Sequence, residues 1–163
     1  MTRLTRPALL AGLILLSSAA LAQEKKYISQ EGHWVINVEE SKVPPEAFKL
    51  PMEPFDVTKD DGKVLEFTTY KTTDKGLEVA FKYAGAYDGK PYPAGPGATA
   101  MYQHITASSF YTETRIASGM VFSEHGYLLN GGSKFRLEAQ AINDSGKLFE
   151  YVLVYDRKGP AKK

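Results

Sequence analysis

The chain of 163 residues contains no cysteine, which removes disulfide staples, thiolate nucleophiles, zinc-thiolate centres and a lipid-attachment thiol at one stroke. Histidine is scarce too. The three residues, at 33, 104 and 125, stand at no metal-ligand spacing to one another, and neither a Gly-x-Ser-x-Gly elbow nor a glycine-rich phosphate loop occurs. No catalytic residue, metal or cofactor is therefore assigned. The formal charge is only +1, so nothing electrostatic points to nucleic acid or to an anionic membrane surface. The apolar run from Ala8 to Leu16 is too short to span a bilayer, and the protein is expected not to be membrane-embedded.

That run fits a secretory leader instead. Arg3 and Arg6 precede it, Ser17 and Ser18 follow, and Ala20-Leu21-Ala22 supplies a small-residue cleavage site. Cleavage after Ala22 would deliver the protein to the periplasm or the medium. It would take the two arginines away, lowering the formal charge from +1 to −1, and leave residues 23–163 as one domain large enough to bury its own core.

What is plentiful is aromatic residues, ten Tyr, eight Phe and one Trp, all beyond Ala22. They favour pleated, half-buried surfaces. Residues 23–30 are polar and read as a loose leader into the domain, and residues 158–163 as a frayed tail. His33 to Val38 forms a first strand. Pro44, Pro45, Pro51 and Pro54 then force a surface crossing that leaves room for at most one helical turn, near Glu46 and Phe48.

Strands follow over 55–59, 64–72 and 77–83, joined by Asp60-Asp61-Gly62-Lys63 and Thr73-Asp74-Lys75-Gly76 turns. In the third, Leu77, Val79, Phe81 and Tyr83 are expected to share the inner face. Strands resume over 98–106 and 110–116. The next, from Val121 to Leu129, contains Gly126 as either a bulge or a turn. Asn130-Gly131-Gly132-Ser133 turns into 134–142, where Phe135, Leu137, Ala139 and Ala141 face inward, and Asn143 to Gly146 turns into 148–156. The two Asp/Asn-rich turns lack the ligand series of a calcium loop. The sum is an all-β antiparallel meander of about 8–10 strands, a lipocalin-like barrel or otherwise a sandwich.

One stretch breaks the strand pattern. Tyr83 to Pro93 carries three tyrosines, an Asp-Gly turn and two prolines, which exclude a central strand. Tyr83, Tyr87, Asp88, Lys90 and Tyr92 are the candidate ligand-binding residues, giving aromatic walls and polar groups to orient a guest. The competing reading has them covering one end of the core. An enzymatic alternative would need His104, Glu113 and Arg115 to converge in one cleft. Glu124 and His125 are adjacent on a strand, so they should point to opposite faces.

Gly32-His33-Trp34 matches the Gly-x-Trp that opens a lipocalin, and Arg157 follows the last strand where a guanidinium could cap that indole, a structural role. A wider set resembles a family of small exported bacterial lipocalin-like β-proteins of unknown function: Trp34-Val-Ile-Asn37 with Ser41-Lys42, Asp61-Gly62-Lys63, Tyr87-Asp-Gly-Lys-Pro-Tyr-Pro93 and Val154-Tyr-Asp-Arg157. The resemblance spans nearly the whole of residues 23–163 and implies fold and export, with no catalytic residue to carry over. Around Ser123-Glu-His125-Gly126 the chain departs from it, lacking an Asp-Gly-Lys turn. The expected function is non-enzymatic binding of a small, partly apolar molecule. The alternative is an interaction module of the cell envelope with a protein partner.

Overall fold

The computed structural model describes residues 26–45, 52–143 and 145–161. The leader with its cleavage site, the helical turn expected near Glu46 and Phe48, and Asp144 lie outside these residues.

Ten antiparallel strands make one sheet: β1 Gly32–Ile36, β2 Phe55–Asp60, β3 Val64–Thr73, β4 Gly76–Ala86, β5 Tyr92–Pro93, β6 Thr99–Thr106, β7 Ser109–Arg115, β8 Val121–Leu129, β9 Lys134–Ile142 and β10 Leu148–Gly159. The spatial order is β4-β3-β2-β1-β10-β9-β8-β7-β6-β5, a meander in which β1 pairs with both β2 and β10. The sheet curls into a nearly closed barrel, its two ends meeting where β4 approaches β5 and β6. Closure of this kind leaves few free backbone groups along an edge.

The Tyr83 to Pro93 joint is the seam of that closure. Tyr87 N donates to Lys63 O at 3.1 Å, Gly89 N donates to Tyr102 O at 3.1 Å, and Asp88 bridges to Gln103. The prolines of the joint cannot donate to a ladder, and Pro93 stands in the shortest strand, β5, with Pro91 just before it.

Inward residues form an aromatic core with Trp34, Tyr83, Phe110, Phe135 and Tyr155 buried. Trp34 and Phe135 lie 5.8 Å apart edge to face, and Phe67 stacks on Tyr83 at 5.0 Å. These are the spacings at which ring quadrupoles attract. The inward row of β9 is as its alternation predicts, with Phe135, Ala139 and Ala141 buried and Leu137 packed against them.

Four expectations are corrected. The inner face of β4 is not continuous: a bulge in the β3 to β4 register sets Phe81 against Thr69 but Val79 against Tyr70, so the side chains beyond Ala80 change face. Leu77 and Val79 are consequently about half exposed, at 49% and 50%. Gly126 is neither bulge nor turn, since it pairs in register with Phe110 and Leu137. Its missing side chain admits the Phe110 ring, whose Cζ would stand 2.3 Å from an added Cβ. Residues 26–30 are not loose, because Ile28 N donates to Ala107 O at 2.9 Å and Gln30 is buried. Lys158 and Gly159 still belong to β10, with Gly159 paired to His33.

Candidate functional site

Two polar centres lie inside the barrel. The first closes one end, where the turns at 60–63, 106–109 and 130–133 meet and residues 26–31 cross as a strap. A second bulge, in β2, sets Val57 against Phe67 and Asp60 against Leu65, which turns the Asp60 carboxyl inward. Asp60 is 2% exposed and satisfied from three sides. Tyr27 donates its hydroxyl to Oδ1, Tyr87 donates to the same oxygen at 3.0 Å, and Gln30 N donates to Oδ2 at 2.6 Å.

Around this hub Gln30 Nε2 donates to Tyr87 Oη at 2.8 Å, and Gln30 O accepts from Trp34 Nε1 at 2.8 Å. Arg157 lies over the Trp34 ring at 4.7 Å and donates to Ser29 O at 2.6 Å. Burial lowers the Arg157 pKa, while the Asp60 and Glu31 carboxylates oppose that shift. Gly132, with positive φ, leaves room for the strap, since an added Cβ would lie 2.8 Å from Ile28 Cγ2. His104 stacks on Tyr87 at 3.7 Å between ring centres, and burial holds its pKa below the usual imidazole range, keeping the ring neutral.

The second centre is a cavity of about 130 Å³ in the middle of the barrel. Register places Tyr102, Thr112, Glu124, Ala139 and Tyr151 side by side in one inward row across β6 to β10. Of that row Tyr102, Thr112 and Glu124 reach the cavity, whose apolar walls include Phe55, Phe67, Phe110 and Phe135. Thr69 enters from β3 on the far wall, and Gln30 of the strap borders the space.

Glu124 is half-buried and lines this space. Its one hydrogen-bond donor among the described residues is Tyr151 Oη, at 2.7 Å to Oε1. Burial raises the Glu124 pKa, against a smaller lowering by that bond, so the group favours its neutral acid form. Thr69 Oγ1 and Thr112 Oγ1 are buried without partners. Thr112 Oγ1 lies near the Tyr102 hydroxyl, outside hydrogen-bond geometry. Unpartnered polar atoms are uncommon in protein interiors and cost about 1–3 kcal/mol each. Both threonines line the same space as the Glu124 carboxyl.

No family model matches the chain, and no curated protein is significantly similar to it.

The five candidate residues of the joint do not gather around this cavity. Tyr83 is 1% exposed in the core, stacked on Phe67. Tyr87 belongs to the Asp60 hub, and Tyr92 packs on the core while its hydroxyl donates to Asp88 Oδ2 at 3.1 Å. Asp88 Oδ1 accepts from Lys90 N at 3.0 Å, a turn bond that holds the carboxyl below the usual range, and Lys90 itself is exposed.

His104 and the Glu113 and Arg115 pair, joined at 2.8 Å, stand on opposite faces of the sheet. Glu124 points inward and His125 outward, where it meets Tyr111 edge on at 5.4 Å. His33 faces outward and contacts Asp56 at 2.8 Å, while Tyr70 donates to the other Asp56 oxygen at 2.7 Å and is pushed up to about 12 by that bond. Asp61 Oδ1 accepts from Lys63 N and Val64 N, and Asn143 Oδ1 from Ser145 N and Lys147 N, so these two oxygens are spent on turns. Among the described residues no group of three or more His, Asp or Glu could hold a metal ion, and no helix is long and apolar enough to cross a membrane.

Sequence reasoning met Glu124 only as a neighbour of His125 and missed Thr112, Thr69 and the Asp60 hub. One signal was present: in Phe122-x-Glu124-x-Gly126-x-Leu128 the inward phase carries a charged residue.

Proposed function

We propose that this is an exported, non-enzymatic binding protein whose site is the internal cavity and whose guest is a small, partly apolar molecule. The observation that carries the reading is one cavity lined by aromatic walls, a carboxyl and two threonines together. Such a mixture of apolar lining and a few convergent polar groups characterises small-molecule sites. At about 130 Å³ it lies below the roughly 300–1,000 Å³ of drug-sized pockets and close to the ~150 Å³ space that takes up benzene. The guest is accordingly small, not a lipid. Export rests on the leader from Arg3 to Ala22, and the lipocalin-like family resemblance supports fold and compartment alike.

Native mass spectrometry of protein purified from its own envelope, followed by organic extraction, tests this. A stoichiometric small molecule supports the reading. A bare chain whose melting point no small probe raises would sink it.

A second reading, an interaction module, is favoured by the half-exposed Leu77 and Val79 on the β3 to β4 arm. A partner held by the native protein and released by Leu77→Ser with Val79→Ser would establish it.

A further inference from the structure

We propose that the cavity selects a small organic cation, a protonated amine of about five or six non-hydrogen atoms, with its ammonium on Glu124 and its apolar body between the phenyl rings. This rests on the cavity being the binding site and names the chemistry of its guest.

The argument begins with what lines the space. One acid borders it and no basic side chain does. Glu124 has one donor, the Tyr151 hydroxyl on Oε1, which leaves Oε2 for a guest. Thr112, its cross-strand neighbour, is 1% exposed with an unpartnered Oγ1. An ammonium has three N–H donors and no acceptor. Glu124 Oε2 is the acceptor this wall offers, with Thr112 beside it on the adjacent strand.

The walls favour the same charge. Aromatic faces attract cations through their quadrupole, and Tyr102, Phe110 and Phe135 stand around the space. An anionic guest would find a carboxyl and no counter-charge. A neutral guest could fill the volume but would leave Glu124 as a desolvated acid with nothing to gain from ionising.

Binding should be linked to a proton. With the cavity empty, burial favours the neutral acid, and an ammonium beside it favours the carboxylate. The other titratable groups turned towards Glu124 are Tyr102 of β6 and Tyr151 and Tyr155 of β10, phenols that burial raises and that stay neutral. From β7 and β9 the neighbours in register are Thr112 and Ala139, which do not titrate. Proton release on binding therefore belongs to Glu124. Affinity should rise from pH 5 to pH 8, while the amine stays protonated throughout.

Titration calorimetry and thermal shift with isobutylammonium, isobutanol and benzene test the proposal, on wild-type protein, Glu124→Gln and Thr112→Val. The expected result is tightest binding of isobutylammonium by the wild type, with a proton released. Glu124→Gln should lose at least about tenfold in affinity for it, the scale of one charge-assisted hydrogen bond, and should keep isobutanol and benzene. Thr112→Val should lose less. Equal binding of isobutylammonium and isobutanol, or an amine affinity untouched by Glu124→Gln, would overturn the cation assignment and leave the cavity as a site for neutral guests. Binding of none of the three probes would remove the cavity reading, and this inference with it.

Discussion

Asp60 and Glu124 are both acids turned into the same barrel, and they are treated in opposite ways. Asp60 meets three donors, two from the strap and one from the seam, so its burial ties the strap, β2 and the seam into one end closure. Glu124 meets one donor and otherwise borders a space. A buried carboxyl with its hydrogen bonds met supports the fold, whereas one left half-met works against it. The difference teaches where to look for function: in a domain this well packed, the under-served acid marks the place where a guest would complete the structure.

Removing the better-served acid should do the greater harm. Asp60→Ala leaves two hydroxyls and a backbone N–H buried without an acceptor and should cost about 3–5 kcal/mol in urea unfolding. Asp60→Asn keeps one acceptor oxygen and should cost less. If the loss is no greater than that of a surface substitution, the end closure is held by packing alone and the contrast with Glu124 disappears.

Glu124→Gln should have the opposite sign. Because the folded-state pKa is raised, the unfolded chain ionises first, from about pH 4.3 upward, and stability falls as pH rises from there through the folded value. Glutamine cannot ionise, so the variant should be more stable than wild type at pH 8, by on the order of 1 kcal/mol, and should lose that advantage at pH 4. Denaturant melts at the two pH values measure it. A variant destabilised at both would place Glu124 with Asp60, as a structural acid.

The smallest effect is expected at the seam. Asp88→Ala removes one turn bond and the Tyr92 contact from an exposed site, and should move the melting point by no more than about 3 °C. It should also leave binding of every cavity probe unchanged. Any loss of probe binding would return the Tyr83 to Pro93 joint to the functional site.

How much of this was legible from residues alone varies with the kind of information required. Alternation sufficed for β9, where Phe135, Ala139 and Ala141 go inward as their period demands. Turn chemistry sufficed at Asp61-Gly62 and Asn130-Gly131. The same periodicity misled in β4, where one bulged residue reverses the face of everything beyond it and puts Leu77 and Val79 into solvent. A bulge also makes Asp60 inward, so its hub could not be inferred from a turn motif that places the same residue on a loop. The joint drew attention by its composition. Its tyrosines turned out to serve three different neighbours.

The amino-acid sequence by itself determined the class of this protein: strands of period two, turns between them, an aromatic core and the absence of thiols, because each depends on residue type or on residues close together in the chain. Tertiary structure alone decided which acid is satisfied and which faces a cavity. The partners of Asp60 are separated from it by 27 to 33 positions and the donor to Glu124 by 27, and those distances are closed only when bulges set the phase of each strand and the sheet curls shut.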